Sequence, residues 1–512
     1  MEKYVIFLFL GVYLLTACFD DKGNYDYTDI NELTISGIQD SEYSAIAFVD
    51  TFRLTPNIEY SLPSKEEDFE YSWKLMPMSM DVKDVEEGED FIVGREKNLN
   101  LIVNQKAGKY VGFFLAKDKK TGVTWRKKFS MQVRTLTSEG WLILCDEAGK
   151  ARMDLMIDVN ENEHLVARNI WSNDDFETGK PLDLMFTYHH YDAGTHTLLV
   201  TEKGTFDLDV HDLHVGEDNN FKWRFGVTPE KVNIKDSEIS FYSDKEYWAV
   251  IDEQGDLYTS SFADYGSVFE FPVNSLDGQP IKLAPFIGVH YVWVWQVVVA
   301  PFLLYDETNA QFLAFRSGAV YPSFPIFSGE TLFDAKTGKE FVHGESMKTG
   351  YTRVVLKDPN EARYYFYGFQ FLNGEKFEQT HYGEIQGPEL EEVKYFAFHH
   401  QFPYLFYATG NKVYQVDMTS PQTPAKEILN FPNEEIKVLK FNSFVAWEAY
   451  QDWERAREFQ LVVGTTVNGK EDSECGVMRM YNVPNLMEPL VLKKEIKDLG
   501  NIIRIVYKER AK

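Results

Sequence analysis

Apolar segments that alternate with short acidic or glycine-containing turns dominate the chain from Trp141 to the C-terminus. The segment Trp141–Cys145 runs into the turn Asp146–Lys150, and a second apolar segment follows. Comparable turn glycines recur at a mean spacing of about 53 residues, at Gly149, Gly204, Gly255, Gly318, Gly374, Gly410 and Gly469. This pattern is typical of β-hairpins and predicts seven repeats of one hairpin-centred unit.

The predicted hairpins occupy Trp141–Ile157, Thr197–Val210, Tyr247–Phe262, Gln311–Phe324, Tyr364–Ile385, Leu405–Met418 and Phe459–Val483. Sheets this small cannot bury both faces alone, so neighbouring sheets must pack face to face, and a closed ring removes the exposed ends. Residues 136–512 would give each of seven units about 54 residues, which is enough for four strands. We therefore predict a β-propeller with seven blades, in which Asn501–Tyr507 completes the first blade.

Residues 31–135 show a different pattern, with about seven short strand candidates separated by turn residues. This number and spacing predicts a β-sandwich, with Trp73 in its core. The segment Ala107–Phe114 resembles the penultimate strand of an immunoglobulin-like domain, in which a tyrosine, here Tyr110, ties down a corner. The predicted fold class is therefore all-β, with a sandwich followed by a propeller.

The first 17 residues predict an export signal. An apolar run, Tyr4–Leu15, follows Met1-Glu2-Lys3 and ends in Leu15-Thr16-Ala17-Cys18, which resembles the lipobox of bacterial lipoprotein signal peptides. We expect diacylation at Cys18 to anchor the chain, with residues 18–30 as a flexible tether. The alternative is an ordinary export signal with a chance cysteine.

Charge and cysteine content limit the partners. The net charge is -28, and residues 136–512 contribute 35 basic and 58 acidic residues, which is -23. Such a surface repels phosphate backbones, so nucleic-acid binding is not expected. After lipidation of Cys18, only Cys145 and Cys475 remain, which leaves a ring-closing disulfide and two buried thiols as alternatives.

The segment Leu283–Tyr305 contains no Asp, Glu, Lys or Arg and is long enough to raise the alternative of a membrane span. Pro285, Gly288 and Pro301 interrupt it, and Tyr291–Val299 is rich in aromatic and β-branched residues. These features favour buried strands.

The sequence predicts no catalytic centre, metal site or cofactor. It contains no Gly-x-Ser-x-Gly elbow, phosphate-binding loop or His-Glu-x-x-His motif. Asp207, Asp209 and His211 would share one strand face, but residues two apart are separated by roughly 6.5 Å, which does not suit a single ion. The acidic run Asp81–Asp90 lacks the ordered oxygen spacing of a calcium loop. Paired carboxylates in a propeller funnel leave hydrolase activity as the alternative.

Two segments are candidates for contact with a ligand or partner. Aromatic residues recur every three positions at Phe444, Trp447, Tyr450 and Trp453. They predict either an exposed platform for a sugar or a protein, or packing in the core of the last blade. The basic segment Lys117–Lys128 contributes the contact candidates Lys119, Lys120 and Lys127, with protection of a sheet edge as the alternative.

Three segments together resemble the PKD-like lipoproteins of Bacteroidota: Cys18–Tyr27, Gly108–Tyr110 and Gly140–Leu144. The resemblance extends over essentially the whole chain, although the aspartate- and glycine-rich turn motif of true PKD domains is absent, so it concerns the fold. The acidic residues after Cys18 look like a surface-export signal, which implies the outer face of the outer membrane.

The resemblance further implies an accessory lipoprotein of a starch-utilisation-type uptake system, beside a TonB-dependent transporter and its lid lipoprotein. Its ligand would be a glycan or peptide nutrient. The alternatives are a propeller hydrolase or lyase and a purely structural adhesin.

Overall fold

The computed structural model describes residues 30–47, 49–78, 91–171, 176–189, 194–241, 246–261, 268–291, 299–348, 350–446 and 450–510. The chain divides after Arg134 into two compact units. Among these residues, no helix combines the length and apolar character needed to cross a membrane.

The first unit contains nine strands in its described part: β1 Leu33–Ser36, β2 Tyr43–Ile46, β3 Thr51–Leu54, β4 Asn57–Tyr60, β5 Phe69–Pro77, β6 Ile92–Gly94, β7 Leu99–Ile102, β8 Gly108–Asp118 and β9 Thr124–Arg134. They form a five-stranded sheet in the order β2-β9-β8-β5-β6, together with the pairs β1-β4 and β3-β7. One buried cluster includes residues from the five-stranded sheet and from both pairs, as expected for a sandwich.

Two predictions about this unit are confirmed. Trp73 on β5 is fully buried; its ring packs 4.6 Å from that of Phe114, and its indole N–H donates to the carbonyl of Glu96 at 2.9 Å. The Tyr110 hydroxyl donates to the carbonyl of Lys106 at 2.9 Å. This bond fixes the entry into β8, as predicted for a corner tyrosine.

The second unit continues with 28 strands in its described part: β10 Gly140–Glu147, β11 Lys150–Asp158, β12 His164–Ala167, β13 Pro181–Thr187, β14 His196–Thr201, β15 Gly204–Asp207, β16 Ile234–Phe241, β17 Glu246–Asp252, β18 Leu257–Ser261, β19 Ser275–Leu276, β20 Gln279–Pro280, β21 Leu283–Gly288, β22 Phe302–Asp306, β23 Gln311–Phe315, β24 Ile326–Ser328, β25 Glu340–Ser346, β26 Tyr351–Lys357, β27 Tyr364–Leu372, β28 Lys376–Glu384, β29 Tyr395–Phe398, β30 Tyr404–Ala408, β31 Lys412–Asp417, β32 Lys426–Asn430, β33 Glu434–Lys440, β34 Gln460–Val467, β35 Gly476–Asn482, β36 Val491–Leu499 and β37 Asn501–Lys508. The only α-helix among the described residues is the single turn α1, Asp452–Arg455. Short 3-10 turns lie at Glu66–Asp68 in the first unit and, in the second, at Glu217–Asn219, Phe221–Arg224, Leu390–Glu392, Ala456–Phe459 and Asn485–Met487.

Apart from the small pair β19-β20, the described strands of this unit form seven sheets of three to five antiparallel-linked strands, one of which gains a parallel outer strand, β24. Each sheet has one inner strand, and the inner strands contact one another in the order β37, β13, β16, β21, β25, β29 and β33. Because β33 contacts β37 in turn, the inner strands form a closed ring. This is the arrangement of a β-propeller.

The ring closes through the last strand of the chain. Strand β37 pairs antiparallel with β10 and supplies the inner strand of the first sheet, in the order β12-β11-β10-β37. Trp141 lies opposite Tyr507 in this pairing, and their rings pack edge to face at 5.1 Å. The prediction that Asn501–Tyr507 completes the first blade is confirmed.

One of the predicted hairpins is misplaced. The prediction placed a hairpin at Gln311–Phe324 with Gly318 in its turn, but the structure pairs β22 with β23 through Glu307–Ala310. The Asp306 carboxylate accepts hydrogen bonds from the backbone N–H groups of Thr308 and Asn309, and Ala310 adopts a φ of 54°. The aspartate therefore stabilises a tight turn without glycine, which the glycine spacing could not indicate.

The apolar segment Leu283–Tyr305 contributes β21 and most of β22, as predicted for buried strands, although much of the predicted strand Tyr291–Val299 lies outside the described residues. Cys145 and Cys475 are both buried free thiols. Of the two alternatives, the structure therefore has two buried thiols and no disulfide between them. Burial raises the pKa of both thiols.

Candidate functional site

A cavity of about 360 Å³ lies at the centre of the second unit, and we call it the central cavity. All seven inner strands, or the residues directly after them, line it. Each inner strand is the end strand of its sheet, and runs of consecutive residues, such as Leu184–Tyr188, line this space. The cavity is the place where seven sequence-distant segments meet.

Polar side chains join every neighbouring pair of inner strands in the ring. The seven contacts are Arg504 to Asp183, Thr187 to the Ser237 carbonyl, the Ile287 N–H to Asp236, the Val289 N–H to Ser346, the Phe398 N–H to Glu345, Lys394 to Glu435, and the Tyr507 N–H to Asn442. Several of these groups line the cavity, so much of its polar wall already serves to hold the ring together.

Asp236 is a cavity carboxyl group whose two oxygens both accept backbone N–H groups. One oxygen accepts the N–H of Ser237 at 2.9 Å, and the other accepts the N–H of Ile287 at 2.6 Å. Burial raises the pKa of Asp236 to about 7, although these two bonds act in the opposite direction. The group therefore serves as a link between β16 and β21.

Glu238 lies two residues further along β16 and faces the same cavity. The Tyr291 hydroxyl donates to one of its oxygens at 2.9 Å. Burial, reinforced by the charge of Asp236, raises the pKa of Glu238 well above its usual value. Its second carboxyl oxygen has no hydrogen-bond partner among the described residues.

Lys440 stands at the end of β33, on another part of the cavity wall. Its ammonium group has no hydrogen bond or ion pair within the described part of the chain. Burial lowers its pKa to about 8; the positive charge of Arg504 acts in the same direction, whereas Glu345 and Asp183 oppose the shift. The charged form of Lys440 is therefore not fully compensated by the protein.

Arg504 and His343 also line the cavity, but each has a partner. Arg504 forms two hydrogen bonds with Asp183, at 2.5 and 2.8 Å, and 45% of its side chain remains exposed to solvent in the cavity. His343 lies 2.6 Å from Glu345 through its Nε2 atom. Lys440, by contrast, has no such partner in the described part of the chain, and Glu238 keeps one carboxyl oxygen unused.

The aromatic series from Phe444 to Trp453 is only partly exposed. Phe444 is fully buried and Tyr450 is 3% exposed, with their rings packed 5.5 Å apart. The guanidinium of Arg457 lies over both rings and over that of Trp453, which is half-buried. Tyr450 thus occupies the position expected for core packing and presents no contact surface. Trp447 lies outside the described residues.

The basic candidates lie on or beside the β8-β9 hairpin. Lys119 donates to the carbonyl of Glu67 at 2.8 Å, Lys120 is exposed, and Lys127 pairs with Asp40 at 2.8 Å. Strand β2 pairs only with Met131–Arg134 of β9, so among the described strands the basic part of β9 lies at a sheet edge. This position agrees with edge protection and leaves the contact prediction open.

The other sequence candidates provide no metal site in the described residues. Asp207 pairs with His196 and Arg224, and Asp209 accepts the backbone N–H of His211 within a turn. No group of three or more His, Cys, Asp or Glu side chains in the described residues could hold a metal ion. Cys18 and the acidic run Asp81–Asp90 lie outside those residues.

Sequence reasoning did not single out Asp236, Glu238 or Lys440. The one local signal was the placement of charged residues at alternate positions of otherwise apolar strands, as in Asp236-Ser237-Glu238-Ile239. Such a pattern is equally typical of a solvated strand face, so only the ring geometry identifies these residues as cavity groups.

Comparison with known proteins gives matches of two kinds. Residues 18–182 match the model of the PKD-like family. A search of curated proteins gave no match. One similar solved structure is a quinonprotein alcohol dehydrogenase-like protein from Bacteroides thetaiotaomicron, with 11% identity, a TM-score of 0.40, and coverage of 94% of this chain and 99% of that chain.

Two further solved structures have lower scores. PorZ, a surface component of the type-IX secretion system of Porphyromonas gingivalis, has 9% identity and a TM-score of 0.25, with 77% of this chain and 58% of that chain covered. A prolyl endopeptidase has 8% identity and a TM-score of 0.32, with 72% and 54% covered. The chain is thus an all-β protein that is similar to the PKD-like family over residues 18–182 and has a ring of sheets arranged as a β-propeller in its second unit.

Proposed function

We propose that this protein is a surface-exposed outer-membrane lipoprotein, a non-catalytic accessory subunit that binds a glycan or peptide nutrient or supports a TonB-dependent transporter complex. The central cavity would be its ligand site. The observation that carries this proposal is the cavity wall, in which Lys440 and Glu238 keep hydrogen-bonding capacity that the protein itself does not use. Pockets with a few such polar groups among apolar residues are typical small-molecule sites.

The proposed cellular location of the protein is inferred from its sequence. The lipobox-like Leu15–Cys18 and the acidic residues after it support lipidation and display on the outer face of the outer membrane. An anchored protein at that location meets nutrients before the transporter does. The lipid anchor supports the outer membrane as a partner, and the resemblance to PKD-like lipoproteins supports a TonB-dependent transporter and its lid lipoprotein.

Hydrolase or lyase activity is the second candidate, because Asp236 and Glu238 are neighbouring carboxyl groups with raised pKa values in one cavity. Catalysis by a carboxyl pair requires each group to be available for proton transfer or attack. Both oxygens of Asp236 already accept backbone N–H groups, and the bond from Ile287 links β16 to β21. This engagement favours binding over catalysis.

A stability assay with a set of ligands tests the proposal. The full-length protein, purified in detergent, would be melted with maltotriose, L-alanyl-L-alanine and buffer alone; a ligand at 100 times its Kd stabilises the fold by about 2.7 kcal/mol. Val342, which lines the cavity, would be replaced by Trp to fill it, with Val491→Trp on the outer strand β36 as the control. We expect the first variant alone to lose the ligand-induced shift.

Absence of any shift with the unmodified protein would contradict ligand binding in the cavity. Mass spectrometry of the same incubations would detect cleavage products. Products that disappear in Glu238→Gln would establish the hydrolase alternative instead.

A further inference from the structure

Lys440 and Glu238, two cavity groups with unused hydrogen-bonding capacity, carry opposite charge when ionised. Lys440 is on β33 and Glu238 is on β16, and the inner strands β37 and β13 stand between them in the ring. On those two intervening strands, Arg504 and Asp183 neutralise each other in an ion pair. The cavity therefore has a cationic pole at Lys440 and a separate carboxyl pole at Glu238.

Each pole lacks a counter-ion within the described residues. An ammonium group that is partly removed from water is stabilised by a carboxylate at hydrogen-bond distance, and a buried carboxylate is stabilised by an ammonium group in the same way. A ligand with a single charge could satisfy only one pole. A ligand that carries both charges could satisfy both, and its own desolvation would be compensated at each end.

The carboxyl pole is also the more acidic sector of the ring. Asp236 lies beside Glu238 on β16, and its charge acts on Glu238. The carboxylate of Glu345 on β25 acts on Tyr291, the partner of Glu238, and also on Lys440, so it does not distinguish the two poles. This concentration of negative groups around one oxygen with unused hydrogen-bonding capacity favours an ammonium group at that end. At the other end, the ammonium group of Lys440 favours a carboxylate.

The size of the cavity restricts the ligand further. A volume of about 360 Å³ is near the lower limit of small-molecule sites, which span about 300–1,000 Å³. A free amino acid or a dipeptide is compatible with this volume, whereas a long polymer is not.

We propose that the central cavity binds a small zwitterion, a free amino acid or dipeptide, whose carboxylate pairs with Lys440 and whose ammonium group pairs with Glu238. This inference rests on the proposed binding function and selects the peptide class over the glycan class for the ligand. It also assigns Lys440 and Glu238 as specificity-determining residues.

Calorimetric titration of the full-length protein with L-alanyl-L-alanine, its N-acetylated form and its C-terminal amide tests the proposal. Loss of either charge should weaken binding at least tenfold, since one charge-assisted hydrogen bond contributes about 1.5–3 kcal/mol and 1.4 kcal/mol is a factor of ten. Lys440→Met should bind the free dipeptide and the amide equally. Glu238→Gln should bind the free dipeptide and the acetylated form equally.

Two matched variants serve as controls. Lys493→Met removes an exposed lysine on the outer strand β36, and Glu253→Gln changes an exposed residue in the turn after β17. Both should retain the full preference for the free dipeptide. Thermal melting of all four variants checks that each one is folded. Each cavity variant should lose discrimination against one capped dipeptide only, a different one in each variant, and misfolding cannot produce that result.

Three results would overturn the inference. Equal affinity of the unmodified protein for the free and capped dipeptides would exclude recognition of both charges. Binding of maltotriose but not of L-alanyl-L-alanine would exclude the zwitterion while preserving the proposed function. No binding of either would contradict both.

Discussion

Arg504 on β37 and Asp183 on β13 form a two-point ion pair, with Nε to Oδ1 at 2.5 Å and Nη2 to Oδ2 at 2.8 Å. The two residues are separated by more than 300 positions in the sequence, and the pair joins the C-terminal strand to the inner strand of the second sheet. The charge of Asp183 raises the pKa of Arg504, so the guanidinium is held in its charged form. Strand β37 lies between β13 and β33 in the ring, and this ion pair fixes it to β13.

Deletion of Asn501–Lys512 should destabilise the whole second unit. Strand β37 buries Ile502, Ile505, Val506 and Tyr507, and side chains of this kind contribute about 1.5–3 kcal/mol each. Their sum is comparable with the total stability of a domain, about 5–15 kcal/mol. We expect cooperative thermal unfolding, followed by circular dichroism, to shift far downward or disappear.

The milder variant Arg504→Gln is the control for the deletion, because a half-exposed ion pair contributes only about 0–1 kcal/mol. It should melt close to the parent. A deletion variant that melts like the parent would show that the ring does not depend on its closing strand.

Replacement of Cys18 by Ala should yield a protein without covalently attached palmitate. The prediction follows from the segment Leu15–Cys18, because the cysteine thiol in a lipoprotein signal receives the diacylglyceryl group that carries the fatty acids. Metabolic labelling with radioactive palmitate measures the incorporation of lipid directly, and Cys145→Ala is the control. Equal labelling of the Cys18 variant and the parent would exclude lipidation at this residue.

Tyr450→Ala should lower the free energy of unfolding by about 3–5 kcal/mol, as large aromatic truncations in a core do. Its ring packs against Phe444 and lies under the guanidinium of Arg457 and that of Arg510. Trp453→Ala should cost less, since that side chain is half-buried. Denaturant unfolding compares the two, with Trp223→Ala as an exposed control. Similar losses for Trp223 and Tyr450 would contradict the core assignment.

Simultaneous replacement of Lys119, Lys120 and Lys127 by Ser should weaken retention of a co-purifying TonB-dependent transporter while leaving the melting temperature nearly unchanged. Loss of the Lys127–Asp40 pair removes about 0–1 kcal/mol because the carboxylate is exposed. Replacement of Lys106 and Lys109 by Ser, also exposed basic residues, is the control. Equal retention by all proteins in a pull-down would leave edge protection as the role of the basic hairpin.

Stability should fall between about pH 4.5 and pH 8 in part because of Glu509. This buried carboxyl accepts the N–H groups of Val445 and Ala446, both at 2.7 Å. Burial raises its pKa to about 8, Glu139 acts in the same direction, and Lys348 opposes the shift. A carboxyl whose folded-state pKa is raised binds more protons in the folded state, so its favourable contribution is complete below the unfolded pKa and is lost as the pH rises through 8.

The variant Glu509→Gln cannot ionise, so it should flatten this part of the stability profile. Denaturant unfolding at intervals from pH 5 to pH 9 measures the slope, and Glu488→Gln, on the surface, is the control. An unchanged slope in Glu509→Gln would mean that the carboxyl is ionised across the whole range.

The sequence by itself determined the local structure of this protein. Period-two apolar segments identified most of the hairpins, the apolar run at Asn501–Tyr507 identified the closing strand, and Trp73 and Tyr110 marked the sandwich core and its corner. These features depend either on residues that are close in the chain or on the alternation of buried and exposed positions, and both can be read from the sequence. Where a turn used a carboxylate in place of glycine, as at Asp306, even this local prediction was wrong.

Only the tertiary structure decided which side chains meet. Glu238 and Lys440 are separated by about 200 positions, and Arg457, which covers Tyr450, pairs with Asp158 on the first sheet at 2.7 Å. The alternation of a strand assigns a residue to one face or the other, but whether that face meets a neighbouring sheet, a cavity or water depends on how seven sheets close around one axis. For this reason the fold class followed from the sequence, whereas the central cavity and the burial of Tyr450 followed only from the closed ring.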